Sequence, residues 1–441
     1  MNDTSNLIHR DLNHLWHPCS QMKDYETFKP LIVKEASGSY LTLSDGRKII
    51  DAISSWWCKS LGHAHPRLKK ALLQQIEKFE HVILANTTNE VIVNLSEKLS
   101  RLTSSLNKIF YAGDGSCAVE IALKMSLHAR QIQGEKNRSQ FIALENAYHG
   151  ETVGALSVSD LGIYRDPYKK ILFDTKFISS VPYVNSVEDK LWEDSSEHWE
   201  QIEKQLQPYA DTATALIIEP IVQGAGGMQI YSQDFLKRLR NWTKKNNIHL
   251  IADEIMTGLG RTGKMLACEY AGILPDFLCL GKGLTAGWMP FSAVLIPENM
   301  YQLFYDDYAA GKSFLHSHTF SGNVMGAAIA LEVLNIIQEK DFLTEVNRTG
   351  KIMMNAMMDI AESTGKLKNV RGIGAIVAAD LIVQNPKQRA GFAVYQKATE
   401  LGALLRPLGN TIYWLPPLNV SAETLEELKE ITEQAVTSVS F

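Results

Sequence analysis

The sequence predicts an α/β fold built around a large and mostly parallel β-sheet. From about residue 65 to about residue 330, short and almost entirely apolar runs alternate with segments of helical length. Strands of this kind are typical of a parallel sheet whose two faces are both covered. At 441 residues, the chain is also long enough for two or three domains and a large core. The predicted strands of this sheet are 108–112, 140–144, 214–218, 249–252, 277–280 and 292–296.

The two ends of the chain show a different pattern and predict a smaller α+β domain. Ser421 is the expected N-cap of a final helix, because a serine hydroxyl can accept a hydrogen bond from a free amide of the first turn. We expect residues 1–64 to join the small domain formed by 331–441, and residues 65–330 to form the large domain. Short strands are expected at 30–34, 38–43, 377–382 and 411–415.

Composition restricts the class of protein. Hydrophobic residues make up 45% of the chain and charged residues 21%, which is ordinary for a globular enzyme. The net charge of −5 gives no reason to expect a general affinity for nucleic acids or anionic membranes. The N-terminus has no secretory signal pattern, and the five scattered cysteines indicate reduced thiols. We therefore expect a cytoplasmic protein.

Lys282 and Asp253 carry the first indication of chemistry. Each follows the end of an apolar run that is predicted to be a buried strand, and ligands bind beyond the carboxyl ends of such strands. Pyridoxal 5'-phosphate (PLP) requires this pair, because its aldehyde bonds to a lysine and its pyridine nitrogen is held protonated by an acid. The alternative is that both residues are ordinary loop charges.

Gly115 and Ser116 predict an anion site at the start of a helix that follows the first strand. A helix N-terminus offers free backbone amides and the positive end of the helix dipole, and Ser116 adds a hydroxyl. The alternative is a plain capped helix.

The run Gly258–Gly263 fits G-x-G-x-x-G but does not open a helix after a first strand, so we interpret it as a glycine-rich active-site loop rather than as a dinucleotide fingerprint. The pairs His63/His65 and His316/His318 have no acid or thiol ligands nearby in sequence, and no metal site is expected.

Four segments resemble the class III, or omega, PLP-dependent aminotransferases. The longest is LIADEIMTGLGRTGK at 250–264, which is followed by PDFLCLGKG at 275–283; IEP at 218–220 and HTFSGN at 318–323 continue the similarity. The resemblance extends over essentially the whole chain. It implies a PLP-dependent transferase of fold type I that acts as a homodimer.

Within that class, the chain is most similar to the branch that serves biotin biosynthesis, the 7,8-diaminopelargonate synthases. This resemblance implies transfer of an amino group to 8-amino-7-oxononanoate, with S-adenosylmethionine as the donor, although some relatives are thought to use lysine. The features that carry it are LWHP at 15–18, SSWW at 54–57, EPIVQGAGGM at 219–228, and LRPLG at 405–409 with Tyr413, Pro416 and Pro417.

The resemblance also implies roles for individual residues. Lys282 and Asp253 would be catalytic, as the aldehyde-binding lysine and the partner of the ring nitrogen. The residues expected to bind the cofactor are these two together with Gly115, Ser116, Tyr148, His318 and Thr319, of which Thr319 would come from the other subunit. The residues expected to bind substrate are Trp56, Tyr148, Lys282, Ser317, Arg406 and Cys19, of which Arg406 would pair with a carboxylate.

Two positions depart from the family pattern, and several functions stay open. Cys19 stands where relatives commonly have tyrosine, and Glu151 where they often have aspartate, so substrate selectivity can differ.

The alternative functions are an omega-aminotransferase for a diamine or 4-aminobutyrate, an NAD-dependent oxidoreductase, or a non-enzymatic binding protein. Arg261 and Glu219 are candidates for a structural ion pair beside the site, and Trp56 and Trp57 could also simply be core residues.

Overall fold

The computed structural model describes residues 3–385 and 387–440, and Met1, Asn2, Pro386 and Phe441 lie outside it. The strands in the described part of the chain are β1 (Val33–Ser37), β2 (Tyr40–Leu43), β3 (Lys48–Asp51), β4 (Lys108–Ala112), β5 (Gln140–Leu144), β6 (Thr175–Ile178), β7 (Tyr183–Val184), β8 (Ala213–Ile218), β9 (Val222–Gln223), β10 (Gln229–Tyr231), β11 (His249–Asp253), β12 (Phe277–Leu280), β13 (Ser292–Ile296), β14 (Leu367–Ile373), β15 (Ile376–Leu381), β16 (Ala403–Leu404) and β17 (Thr411–Trp414).

Helices connect these strands and flank them. The α-helices of the same residues are α1 (Asp3–His14), α2 (Ser54–Trp57), α3 (Pro66–Ile76), α4 (Glu90–Ser100), α5 (Gly115–Ile132), α6 (Val153–Ser157), α7 (Gly162–Arg165), α8 (Lys190–Glu193), α9 (Ser196–Leu206), α10 (Gln233–Lys245), α11 (Glu298–Phe304), α12 (Val324–Ile337), α13 (Phe342–Thr364), α14 (Ala390–Leu401) and α15 (Ala422–Ser438). Within the described residues, no helix is both long and apolar enough to cross a membrane.

The prediction of a large and mostly parallel sheet is confirmed. Seven strands lie in the order β4-β13-β12-β11-β8-β5-β6, and all six predicted strands are among them. One of the six, β13, runs antiparallel to both of its neighbours, so the sheet is not wholly parallel. The strand that sequence patterning missed is β6 at the sheet edge, where Thr175 and Lys176 are only half-buried and interrupt the apolar pattern.

Both faces of the sheet are buried, which explains why its strands are apolar throughout. Side chains of a strand alternate between the two faces. In β8, accordingly, Ile217 packs into the core that contains α5, whereas Ile218 packs into the larger core on the opposite face. The residues of β8 and β11 are all buried. Because neither face meets water, no polar alternation appears in the sequence.

The two ends of the chain meet in a second layer of structure. Strand β16 pairs in parallel with β3 and completes a four-stranded sheet with β1 and β2, while β14, β15 and β17 form an antiparallel sheet. Ser421 caps α15 as predicted, and its hydroxyl accepts a hydrogen bond from the amide of Thr424 at 3.2 Å. The strand predicted at 30–34 begins only at Val33, and β3, β14 and β16 were not predicted.

Candidate active site

One cavity of about 1200 Å³ lies at the edge where the carboxyl ends of β4, β5, β8, β11 and β12 meet. Strands that run in the same direction end at the same edge of a sheet, so residues far apart in sequence come together there. Most of the residues predicted to bind cofactor or substrate line this cavity. They are Cys19, Trp56, Gly115, Ser116, Tyr148, Asp253, Lys282 and Arg406.

Asp253 is a buried carboxylate held in a defined orientation. It is 5% exposed; its Oδ2 lies 2.8 Å from His149 Nδ1, and its Oδ1 accepts a hydrogen bond from the amide of Ile255 at 3.1 Å. His149 is buried as well, and its backbone amide donates to the hydroxyl of Ser159 at 2.9 Å. An imidazole N–H directed at a carboxylate restricts its rotation, so Asp253 can present a lone pair to a ring nitrogen in a defined direction.

Lys282 follows β12 on the cavity wall, and its backbone has a positive φ of 41°. Its Nζ lies 4.7 Å from the centre of the Trp57 ring. Removal from water lowers the pKa of the Lys282 amine, and the negative charges of Asp253 and Glu219 oppose this only in part. A neutral amine is both a nucleophile and a base, so the surroundings favour the form that reacts with an aldehyde.

The N-terminus of α5 faces the cavity and can hold an anion. Gly115 opens the helix, and the Asp114 carboxylate caps it by accepting from the amide of Cys117 at 2.9 Å. The hydroxyl of Ser116 accepts a hydrogen bond from the amide of Glu151 at 3.2 Å. Gly150, with φ of 125°, permits this approach, because a Cβ there would lie 1.9 Å from the Ser116 Oγ.

Tyr148 follows β5 and is held by carboxylates at both ends. Its backbone amide donates to Glu219 at 2.9 Å, and its phenol donates to Glu151 at 2.9 Å. Burial, followed by the charge of Glu151, raises the pKa of Tyr148 far above its usual range, so the ring stays neutral. Glu219 also accepts from the amide of Gly224 at 2.9 Å, and burial raises its pKa to about 7. Glu219 thus joins the ends of β5 and β8 by hydrogen bonds.

Trp56, Arg406 and Cys19 form the mouth of the cavity. The Arg406 guanidinium lies 4.2 Å from the centre of the Trp56 ring, and its Nη2 donates to the backbone carbonyl of Cys19 at 2.7 Å. The Cys19 thiol lies 3.8 Å from Glu151 Oε1, and burial together with the charge of Glu151 raises its pKa. The guanidinium of Arg406 has further N–H donors that can bind a carboxylate.

The segment that carries the two tryptophans is strained and is held by Asp51. Ser54, Ser55 and Trp57 all have positive φ values, of 51°, 62° and 66°, which side chains other than glycine adopt only at a cost. The buried carboxylate of Asp51 accepts the Ser55 amide at 2.7 and 2.9 Å and lies 2.7 Å from His63 Nε2. Trp57 is itself buried and donates to the phenol of Tyr413 at 2.9 Å, whereas Trp56 stays 40% exposed.

Three predicted residues do not reach the cavity. Ser317, His318 and Thr319 lie in the loop before α12 and do not line the cavity, and Ser317 and Thr319 are exposed. The carbonyl of Thr319 lies 3.0 Å from His81 Nε2, and His318 lies 3.0 Å from His316. Their roles stay predictions that depend on a second subunit.

Two interpretations of the sequence need correction. Arg261 does not pair with Glu219; it is buried and donates to the carbonyls of Ala375 and Pro416 at 3.1 and 2.7 Å. The glycine-rich run 258–263 therefore packs against the C-terminal part of the chain and is not among the residues that line the cavity. It opens no helix, which agrees with rejecting the dinucleotide fingerprint.

The residues present fit PLP. A lysine amine suits its aldehyde, a held carboxylate suits its pyridine nitrogen, a helix N-terminus with Ser116 suits its phosphate, and Tyr148 offers an aromatic face beside them. The sequence alone did not reveal the pairing of His149 with Asp253, nor the role of Asp51. The contact between His149 and Asp253 joins residues 104 positions apart, so no local pattern marks it. Asp51 contacts Ser55 and His63, which are only 4 and 12 positions away, but these contacts depend on the positive φ values of Ser54, Ser55 and Trp57, which sequence patterning does not reveal. Among the described residues, no group of three or more His, Cys, Asp or Glu side chains could hold a metal ion.

Comparisons with known proteins agree with this geometry. The family profile described as aminotransferase class-III matches residues 21–436. The adenosylmethionine-8-amino-7-oxononanoate aminotransferase of Helicobacter pylori is 40% identical over 433 residues, which cover 97% of each chain. The crystal structure of the enzyme of that name from Methanocaldococcus jannaschii is 30% identical, covers 100% of both chains and superposes with a TM-score of 0.93. A PLP-bound amine transaminase from an uncultivated Pseudomonas species is 28% identical, with a TM-score of 0.88 over 96% of this chain and 98% of that one.

Asp51→Ala should loosen the tryptophan segment without touching the reacting centre. It leaves the Ser55 amide and the His63 ring without their buried acceptor, and such a loss costs about 1–3 kcal/mol. We expect a lower melting temperature and a higher KM for substrates that contact Trp56. Asp51→Asn keeps one acceptor oxygen, so its melting temperature and its KM should lie between those of Asp51→Ala and the wild type. Wild-type stability and KM in Asp51→Ala would show that the carboxylate does not hold the segment.

Proposed function

Because the chain belongs to the class-III aminotransferases, we propose that it transfers an amino group from S-adenosylmethionine to 8-amino-7-oxononanoate, giving 7,8-diaminononanoate. The observation that carries the proposal is the meeting of Lys282, Asp253 and the α5 N-terminus in one cavity of a chain that is similar over its full length to enzymes named for this reaction. The product would enter biotin biosynthesis.

PLP supplies an aldehyde and an electron-accepting ring when it is bound in this site. Lys282 would anchor the aldehyde and, once released, its Nζ would accept and return the proton of the substrate carbon that bears nitrogen. Asp253, oriented by His149, would hold the proton of the ring nitrogen. Gly115 and Ser116 would bind the phosphate. Each substrate would use the site in turn, which gives ping-pong kinetics.

Arg406 would select acids at the mouth of the cavity. A guanidinium binds a carboxylate through two parallel hydrogen bonds, and Arg406 is already oriented by the Trp56 ring and by the carbonyl of Cys19. The acceptor would place its keto end near Lys282 and its carboxylate at Arg406. Trp56 and Tyr148 would line the path of its aliphatic chain.

A homodimer would complete the site. The loop before α12 exposes large apolar side chains beside Ser317 and Thr319: Leu315 is 86% exposed and Phe320 is 63% exposed. Apolar side chains that are exposed together in this way are typical of an interface. In the dimer, Thr319 would reach the phosphate of the partner's site, with His318 next to it, and the amide of Ser317 would face the substrate carboxylate. The five cysteines are all free, which supports a cytoplasmic location.

The second candidate is another omega-aminotransferase. Several of the structural neighbours are amine or omega transaminases with TM-scores of 0.88 and 0.89, although they are only 26% to 28% identical. An oxidoreductase built on Gly258–Gly263 has no such support. The two aminotransferase proposals differ in the donor and not in the chemistry.

A half-reaction assay separates the donors. Purified holoenzyme is mixed separately with S-adenosylmethionine, lysine, a diamine and 4-aminobutyrate, and the absorbance of the bound cofactor is followed. We expect the fastest conversion with S-adenosylmethionine, and the converted enzyme should then aminate 8-amino-7-oxononanoate. Conversion by 4-aminobutyrate or a diamine, with none by S-adenosylmethionine, would favour the second candidate.

Lys282→Ala should abolish turnover while leaving the fold intact. The variant loses the anchoring amine and the proton-transferring group, and general acid–base catalysis alone contributes about 10²–10⁴-fold. Lys108→Ala is a matched control, because its amine also lies near an aromatic ring, 4.4 Å from Tyr301 and outside the cavity. Steady-state rates and melting curves of both variants provide the test. Near wild-type rates in Lys282→Ala, without added amine, would remove Lys282 from the mechanism.

Arg406→Ala should mainly impair use of the acid substrate. A hydrogen bond to a charged group contributes about 1.5–3 kcal/mol, so kcat/KM for 8-amino-7-oxononanoate should fall by about 10- to 150-fold. For the methyl ester of the acceptor, the substitution should lower kcat/KM only slightly. Arg406→Lys should lower kcat/KM for the acid less than Arg406→Ala does, because lysine keeps the charge. An equal loss for acid and ester would mean that Arg406 does not bind the carboxylate.

A further inference from the structure

A second cavity opens beside the mouth of the catalytic one. It has a volume of about 340 Å³, which lies at the lower end of the range of about 300–1,000 Å³ for small-molecule sites. We call it the side cavity and define it by the aromatic residues of its wall, Tyr25, Phe28, Phe392 and Tyr395. Its wall comes from the connection between α1 and β1 and from the start of α14. Arg406 and Cys19 are among the residues that line both cavities, so the two are adjacent.

The wall of the side cavity is aromatic and built from edge-on contacts. The Phe28 ring lies 5.9 Å from Phe392 and 5.2 Å from Tyr395, at angles of 90° and 85°. Phe392 and Tyr395 are one helical turn apart on α14, with ring centres separated by 6.1 Å. All three rings are only half-buried, so part of their surface stays available to a ligand.

A fixed guanidinium completes the wall. Arg389 donates two hydrogen bonds of 2.8 Å to the two carboxylate oxygens of Asp24, and its guanidinium lies 4.2 Å from the centre of the Phe392 ring. The ion pair balances the charge of Arg389 and orients its guanidinium plane, while 58% of the side chain stays exposed. Aromatic rings and guanidinium planes are the surfaces on which nucleobases stack in proteins. Because Asp24 already pairs with Arg389, this guanidinium offers a ligand its flat face rather than an unpaired charge.

The proposed reaction requires room for two different substrates in one site. Both present their reacting carbon to Lys282, but the acceptor ends in a carboxylate whereas S-adenosylmethionine carries a bulky adenosyl group. In the proposed function, Arg406 binds the carboxylate of the acceptor. A chain of contacts joins the two regions: Lys282 lies over Trp57, the neighbouring Trp56 lies under Arg406, and Arg406 bonds to Cys19. This series of contacts ends at Arg406 and Cys19, and the side cavity begins at the same two residues.

We propose that the side cavity is the adenosyl subsite of the amino donor, in which the adenine ring stacks against Phe392 and the fixed Arg389 plane. This inference rests on the proposed function, since that function supplies the donor. It assigns the two substrates to adjacent cavities: the acceptor chain stays in the catalytic cavity and ends at Arg406, and the adenosyl group passes Arg406 and Cys19 into the side cavity.

Adenosine is the direct probe, because it carries the ring without the amino acid. Isothermal titration of holoenzyme with adenosine should show binding in wild type. Phe392→Leu keeps the bulk but removes the stacking face, and binding should weaken by about 5- to 150-fold, the range for loss of one stacked base. Arg389→Gln is the second variant and should weaken binding without altering the aromatic wall. Tyr301→Leu, which removes an aromatic ring from another cation–aromatic pair outside both cavities, should bind as wild type does.

Kinetics provide an independent measurement. In Phe392→Leu, the KM for S-adenosylmethionine should rise by about the factor seen with adenosine, while the KM for 8-amino-7-oxononanoate stays at the wild-type value. Wild-type adenosine binding and donor KM in both Phe392→Leu and Arg389→Gln would overturn the subsite. So would an absence of adenosine binding in wild type.

The outcomes separate this inference from the proposed function. If S-adenosylmethionine remains the donor and neither variant changes its KM, the subsite is wrong and the function stands. If another amine is the donor but adenosine binding depends on Phe392, the function is wrong and the side cavity is still a nucleoside site.

Discussion

The convergence of strand carboxyl ends at one edge of the seven-stranded sheet is the constraint on which the site depends. Asp253 ends β11, Lys282 follows β12, Tyr148 follows β5 and the N-terminus of α5 follows β4. The hydrogen bonds of the sheet fix the spacing of these ends, so an acid, an amine and an anion site are positioned by the fold. Only β13 enters this edge from the opposite direction, as the antiparallel strand between β4 and β12.

Burial gives these groups their chemistry. An amine removed from water loses part of its preference for the protonated form, which lowers the pKa of Lys282, and the same effect raises the pKa of Glu219 to about 7. Each buried acid is satisfied by hydrogen bonds: Glu219 by two backbone amides, and Asp253 by an amide and His149. Buried polar groups without such partners would destabilise the fold, so the network that orients the site also makes its burial possible.

The mouth of the cavity is built from a different part of the molecule than the groups at the sheet edge. The residues at the mouth come from the two ends of the chain: Cys19 and Trp56 from the N-terminal part, and Arg406 from the segment after β16. These ends meet through the pairing of β3 with β16. The residues at the mouth can therefore differ between proteins that share the same sheet edge. This agrees with the structural similarity of the chain to transaminases with other names.

The sequence by itself determined the α/β class and six of the seven strands of the main sheet, and it predicted Lys282, Asp253, Ser116 and Arg406, which the structure brings to one cavity. Strand hydrophobicity and strand-end position are local properties, and the family motifs are continuous in sequence. Tertiary structure alone decided the direction of β13, the pairing of His149 with Asp253, the support of the tryptophan segment by Asp51, the placement of Arg261 against the C-terminal part, and the side cavity beside Arg406. Most of these join residues that are distant along the chain, and the choice among distant partners depends on how buried polar groups and volumes are satisfied together in the packed fold. The Asp51 contacts to Ser55 and His63 are close in sequence but depend on the unusual backbone of residues 54–57.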